Sequence, residues 1–428
     1  MQGSSNASRI DLNASDREAL AGDRGEGPRL AMRVLLALAE ATGAERFIDV
    51  ASAHVDGCLY QGQAGLDFAE RMAASGARVS VPTTLNVGGV DLLHPDRFRG
   101  PPEIAAGSRR LMELYGQMGC RPTWTCAPYH LAQARPRLGD QVAWAESNAV
   151  AFANSVLGAR TERYGDFVDI CAAITGRVPY VGLHRAENRR GQVVVRLRGI
   201  PDHLLEDDVL FPVLGHLVGR LAGTRVPVIE GLSAGASEDQ LKALGAAAAS
   251  SGAVGLFHAV GITPEAATLE EALGGRSPAE VRDITSEYLR GARDELSTST
   301  GDRADAVSVG TPHASAAQLR RLAELVEDRT LRIPLYVSAG RNVLSEAEAG
   351  GTLGPLRRAG IVLVTDTCTY LTPIIDPGAR VVMTDSAKWA YYAPANIGVD
   401  VAFGSLEECV RSAVEGRVWR DPELFGEG

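Results

Sequence analysis

Three cysteines stand in polar loops that follow strand-like runs: Cys58 in AHVDGCLY, Cys126 in PTWTCAPYH and Cys368 in LVTDTCTY. One cysteine alone is most often a small buried hydrophobe. Three in equivalent loops are a different matter, because three thiolates can hold an iron–sulfur cluster and leave one iron incompletely ligated. Such an iron is a Lewis acid toward a hydroxyl leaving group. Cys120, Cys171 and Cys409 fall in helical patterns and read as core. No C-x-x-C pair occurs, so a zinc ribbon or thioredoxin-type site has no support, and any metal site must gather its thiols from distant segments.

Other polar groups share this placement. VPTTLN offers Thr83, Thr84 and Asn86 after a strand, and AESNAV puts a carboxylate, Ser147 and Asn148 at a helix start. Orphan N–H groups there can bind a substrate carboxylate, although the same residue types also suit plain turns and caps. His54, four residues before Cys58, is the candidate acid–base group. His313 in GTPH stands behind it, and Arg185 in GLHRAENRRG offers a fork for a carboxylate. Lysine is rare in this chain, which places its positive charge almost wholly on arginine and has only Lys242 and Lys388. Lys388, beside Ser386 in TDSAKWAYYAP, is a compact ammonium suited to a small ligand, whereas Lys242 reads as a surface residue of an amphipathic helix.

The elements that must position these groups follow an α/β rhythm. PRLAMRVLLALAEATG is helical in period and ends in glycine, and strand-then-polar-loop units recur at RFIDVASAH, ARVSVPTTLN, DAVSVGTPH, RIPLYVSAGRN, GIVLVTDTCTY and ARVVMTDSAKW. In open parallel sheets ligands sit beyond the carboxyl ends of the strands, where these loops lie. A length of 428 residues exceeds one core and implies several lobes over 28–428, after a loose Gly/Ser/Asn-rich tail over 1–27. A net charge of −10 gives no basic stripe for nucleic acid, and the apolar runs are too short for a bilayer. The start lacks the basic and apolar regions of a secretory signal, so the expected compartment is the cytoplasm.

Taken in order, SAHVDGCLY, VPTTLN, TCAPY, AWAESNAVAFANSVLGART, AAITGR, GTPH, DTCTY and SAKWAYYAP resemble the aconitase X family from about residue 28 to about residue 415, with AESNAVAFANSVLGART the most specific stretch. The resemblance implies a three-lobed, aconitase-like catalytic part with mostly parallel sheets converging on an iron–sulfur cluster, of the two-iron form in preference to a larger one. It also implies a small swivelling domain that closes the site and contributes a serine near the substrate. The family has a bacterial branch acting on cis-3-hydroxy-L-proline and an archaeal branch acting on mevalonate 5-phosphate. The archaeal pattern has cysteine before the Pro-His pair, where this chain has Thr311, while Cys58 resembles the hydroxyproline branch. Cys58, Cys126 and Cys368 are thereby the implied ligands. Asp385, where the family pattern resembles Thr-Asn-Ser, adds a negative charge near the proposed carboxylate site.

The expectation is a hydro-lyase that dehydrates a small β-hydroxy carboxylate, with the small swivelling domain absent from this chain and supplied as a separate subunit. The rivals are a dehydratase for another hydroxy acid and a non-catalytic scaffolding subunit that kept the fold.

Overall fold

A computed structural model describes residues 10–426. The first unit carries β1 (Phe47–Asp49), β2 (Ala53–Val55), β3 (Thr83–Leu85), β4 (Ala143–Trp144) and β5 (Arg177–Pro179). β1 and β5 pair antiparallel, and β2 lies between β3 and β4 in a parallel sheet. The second unit is a four-stranded parallel sheet in the order β8-β7-β6-β9, from β6 (Val193–Leu197), β7 (Pro227–Glu230), β8 (His258–Ala259) and β9 (Glu280–Ile284). The third is a five-stranded parallel sheet ordered β12-β11-β10-β13-β14, from β10 (Ala306–Ala314), β11 (Leu335–Ala339), β12 (Val362–Val364), β13 (Val381–Thr384) and β14 (Asp400–Phe403). Most strands of the second and third units are largely apolar runs, as sheets covered on both faces require, whereas the edge strand β9 is exposed over 281–283. The expected α/β class with mostly parallel sheets is what forms.

Two expectations are corrected. The tail expected over 1–27 is ordered structure from residue 10 onward, with residues 1–9 outside the described part. A helix spans Ala14–Ala21 because Asn13 and Asp16 form a capping box, the Asn13 side chain accepting from Asp16 N–H and Asp16 from Asn13 N–H. Asp16 is then buried against Arg177 at 2.9 Å. The second correction concerns the segment before Cys126, which is an irregular loop joined to β3 by one isolated bridge, Thr84 to Arg121.

The first and third units have cores of their own, but the largest apolar cluster is shared. It includes Val87 and Cys126 from the first unit, Val195 and Phe257 from the second, and Cys368, Trp389 and Phe403 from the third. Polar clamps tie the first unit to the third. Asp91 accepts from the N–H of Thr365 at 3.2 Å and its hydroxyl at 3.0 Å, and Gly88 N–H donates to the Asp366 carbonyl at 2.7 Å. The Asp366 carboxylate accepts from Leu92 N–H of the first unit at 3.1 Å and is itself gripped within the third unit by Arg341 with two bonds of 2.6 Å. These clamps carry the loop of Asn86 toward the loop of Cys368.

Candidate functional site

Cys126, His313 and Cys368 come together from three chain segments, with Sγ, Sγ and an imidazole nitrogen all within 4.8 Å of one another and all three residues buried. Both thiol loops hold a non-glycine residue in the left-handed region, Trp124 at φ 45° and Asp366 at φ 61°, a conformation that costs energy and turns the chain sharply. His313 lies near the end of β10. Its Nε2–H donates to the Thr367 carbonyl at 3.1 Å, which leaves Nδ1 to accept from the Thr125 hydroxyl at 3.0 Å. Its peptide N–H donates to Cys126 Sγ at 3.2 Å. Burial alone would push the Cys126 thiol up, but the S–H of Cys368, His313 and Lys388 outweigh it and bring Cys126 down to about 6, while Cys368 goes up. One thiol of the pair is poised to be a thiolate.

Beside this group is a cavity of about 460 Å³, reached by Cys126, Asp56, Asn86, Glu146, Ser147 and Lys388, with Tyr370 on its wall. Glu146 caps the helix Ser147–Ser155, one oxygen accepting from Ala149 N–H at 2.8 Å and from the Asn148 amide. Its other oxygen pairs with Lys388 Nζ, which also lies 3.4 Å from Ser147 Oγ. Lys388 is 4% exposed; burial would pull its pKa down, but Glu146 in contact holds it well above the ordinary lysine range. Asn148 faces away from the cavity, its amide donating to the Cys126 carbonyl at 3.0 Å and its oxygen accepting from Tyr129 at 2.6 Å. Ser386 caps the lysine helix Ala387–Ile397 through Trp389 N–H at 3.1 Å. Asp56, bonded by Asn86, is pushed up to about 8 by burial and by Glu146. Asp169 fixes this turn by accepting from the N–H groups of Asp56 at 2.7 Å and Gly57 at 3.0 Å.

Several expected residues stand elsewhere. Cys58 is outside the metal-competent group: its Sγ lies against the carbonyls of Val55, Asn86 and Val87 at 3.5, 3.4 and 3.7 Å. Burial and the nearby Asp56 push its thiol well up. His54 is fully buried in β2, hydrogen-bonded through Nδ1 to Thr84 Oγ1 at 2.8 Å, with Nε2 unpartnered and its pKa pulled down to about 3 by burial. It is not on the cavity wall. Thr83 and Thr84 line a different cavity, with Arg121 and Trp144. Arg185 pairs with its neighbour Glu187 at 2.6 Å and lies by Tyr180, away from the site.

Asp56 went unnoticed in the sequence although it sits in the quoted DGC motif, and Glu146 was noted only as a helix-start carboxylate. Lys242 was misplaced on the surface: it is 3% exposed and pairs with Asp239 at 2.7 Å. Its rarity, shared with Lys388, was the available signal.

Three family models cover most of the chain: the aconitase X first domain matches residues 9–187, the second domain 191–294 and the third 304–415. The cis-3-hydroxy-L-proline dehydratase of Pseudomonas aeruginosa is 45% identical over 411 residues, which are 95% of this chain and 70% of that protein. The enzyme of the same name from Hypocrea jecorina is 43% identical, over 95% of this chain and 69% of that one. The phosphomevalonate dehydratase large subunit of Methanothermobacter thermautotrophicus is 38% identical over 94% of this chain and 98% of its own length. The crystal structure of Thermococcus kodakaraensis aconitase X in its holo-form superposes with a TM-score of 0.84 at 34% identity, covering 94% of this chain and 100% of that chain. No helix among the described residues is long and apolar enough to cross a membrane. With three consecutive domain models, these relatives and this superposition in agreement, the chain belongs to the aconitase X family, whose matched relatives are hydro-lyases.

Proposed function

We propose that this chain dehydrates a small β-hydroxy carboxylate, cis-3-hydroxy-L-proline in the first instance, at the cavity beside Cys126, His313 and Cys368. The observation that carries this reading is the convergence of that donor group and the Lys388–Glu146 pair on one cavity.

The donor set fits an iron–sulfur cluster. Two thiols are close, one is already pulled toward its thiolate, and the Nε2–H of His313 is held by a carbonyl in the way that orients a metal-binding imidazole. Cys126 and Cys368 would supply thiolates, and three protein donors leave one position of a two-iron cluster open. His313 would be the third donor, its Nδ1 giving up the Thr125 hydroxyl, with Cys58 the alternative implied by sequence. A bound cluster supplies Lewis-acid help to the departing hydroxyl.

The chain's own groups account for the rest of the chemistry. Lys388 and Ser147 hold the substrate carboxylate and offset charge that grows as the α-proton leaves. Asp56 keeps its proton at neutral pH and faces the same space, so it can protonate the leaving oxygen. With Asp56 protonated, the wall sets one ionised carboxylate, Glu146, against one cation, Lys388, and so carries no excess positive charge. That balance suits a zwitterion with a ring nitrogen better than a phosphate, which favours hydroxyproline over mevalonate 5-phosphate. The names of the archaeal relatives include the words large subunit, which implies a small one. A corresponding small unit is proposed to cover the cavity here and to bring the α-proton acceptor.

Anaerobic purification with iron and sulfide analysis, followed by assay on cis-3-hydroxy-L-proline with and without a small unit of this kind, tests the reading. Bound iron with turnover of that substrate is expected. A loaded, complemented enzyme that ignores it and dehydrates mevalonate 5-phosphate would reverse the choice of substrate. A chain that binds no iron would end the cluster reading.

A further inference from the structure

The two lysines of this chain both lie against the same centre. Lys388 approaches from the substrate side. Lys242, on the helix Glu238–Gly252 of the second unit, approaches from behind and is 3% exposed. A buried ammonium persists only where its desolvation is offset by partners, and an apolar side chain would fill the same space at less cost. Lys242 Nζ has three partners: Asp239 Oδ1 at 2.7 Å, Gln318 Oε1 at 2.7 Å and the His313 carbonyl at 3.4 Å. Two of the partners are themselves held. Asp239 accepts from the Ser315 hydroxyl at 2.5 Å, and Gln318 accepts from Ser315 N–H at 3.1 Å.

The third partner gives the arrangement its meaning. His313 carries the donor nitrogen of the metal-competent group, and its own N–H donates to Cys126 Sγ at 3.2 Å. The carbonyl of the same residue is taken by Lys242. The main chain of His313 is therefore gripped between a thiol on one side and an ammonium on the other. The second unit reaches the centre through this lysine, whereas Cys126 comes from the first and His313 and Cys368 from the third. An arginine would bring a broader planar head to a place where three acceptors converge on one point.

We infer that Lys242 is a positioning residue of the metal centre: it fixes the His313 main chain so that the peptide N–H stays on Cys126 and the imidazole stays in reach of the metal. This rests on the reading of Cys126, His313 and Cys368 as that centre. The test uses the full chain, loaded anaerobically with iron and sulfide, as wild type, Lys242→Met and Lys242→Arg. The double variant Lys242→Met with Asp239→Asn accompanies them, because it removes both charges and leaves no unpaired buried carboxylate to impair folding. The readouts are iron and sulfide per chain, the visible and electron-paramagnetic spectra, and the rate at which a chelator removes iron. With circular dichroism unchanged, Lys242→Met and the double variant are expected to lose iron to chelator roughly tenfold faster or more and to show altered spectra. Lys242→Arg is expected to recover part of the difference. Wild-type spectra and chelator rates in both methionine variants would overturn the inference while leaving the cluster reading intact. A wild-type chain that takes up neither iron nor sulfide would overturn both.

Discussion

Cys58 and Cys126 are both buried cysteines in polar loops of the first unit, yet their surroundings have opposite sign. Around Cys58 Sγ stand three carbonyl oxygens, which suit a donating S–H and oppose a thiolate. Around Cys126 Sγ stand a peptide N–H, a second thiol and, farther off, the Lys388 ammonium, which favour the thiolate. The loops look alike in sequence. On the proposed reading, what separates a packing thiol from a ligating one is the direction in which neighbouring peptide groups point, and that is decided by chain segments far away.

The contrast gives graded outcomes. Replacing Cys126 or Cys368 by serine should abolish bound iron and reduce dehydration to background, as measured by metal analysis and turnover. Replacing Lys388 by alanine should lower kcat/KM by roughly a hundredfold or more if it offsets developing charge. It also strands Glu146, a buried carboxylate, at a cost of about 3–5 kcal/mol in urea unfolding, and the added change Glu146→Gln should restore much of that stability without restoring activity.

A smaller effect is expected at Cys58. Cys58→Ala should keep iron and cost about 1 kcal/mol of stability. Loss of iron in that variant would make Cys58 the third ligand and displace His313 from that role.

A change of another kind concerns pH. Asp56 has a folded pKa of about 8, above its ordinary carboxylate value, so folding favours its protonated form. That contribution is complete below about pH 4 and is lost as pH rises toward 8. Asp56→Asn should therefore leave the stability of the metal-free chain little changed at about pH 4 and raise it relative to wild type above pH 8. An equal shift at both ends would show that Asp56 does not carry a proton in the folded chain.

Much of this was legible from residue patterns. The parallel strands announce themselves as apolar runs such as QVVVRL and RIPLYV, and the loops of Cys368 and Lys388 stand out because each breaks such a pattern with chemistry. The capping box at Asn13 was also present in the letters but was outweighed by the loose composition around it. His54, Thr83 and Thr84 stand off this cavity, which the sequence could not show, because strands of three residues give too few positions to tell which face meets it. Lys242 failed because a helix shows its apolar period to the reader but not the second element that packs on its polar side. Glu146 and Asp56 could be seen as acids, but only distances reveal which cation or carboxylate each one faces.

Cys126 and Cys368 belong to different units and lie far apart along the chain. Any group bonded to both is consequently a cross-link as well as a reagent. Closing so long a loop removes much of the freedom of the unfolded chain, and the gain grows with loop length, though slowly. A chain carrying such a link should unfold with its first and third units together, and heat or urea applied after chelation should let the two part in separate steps. The clamps at Asp91 and Asp366 would then hold the two units in register long enough for the link to be made.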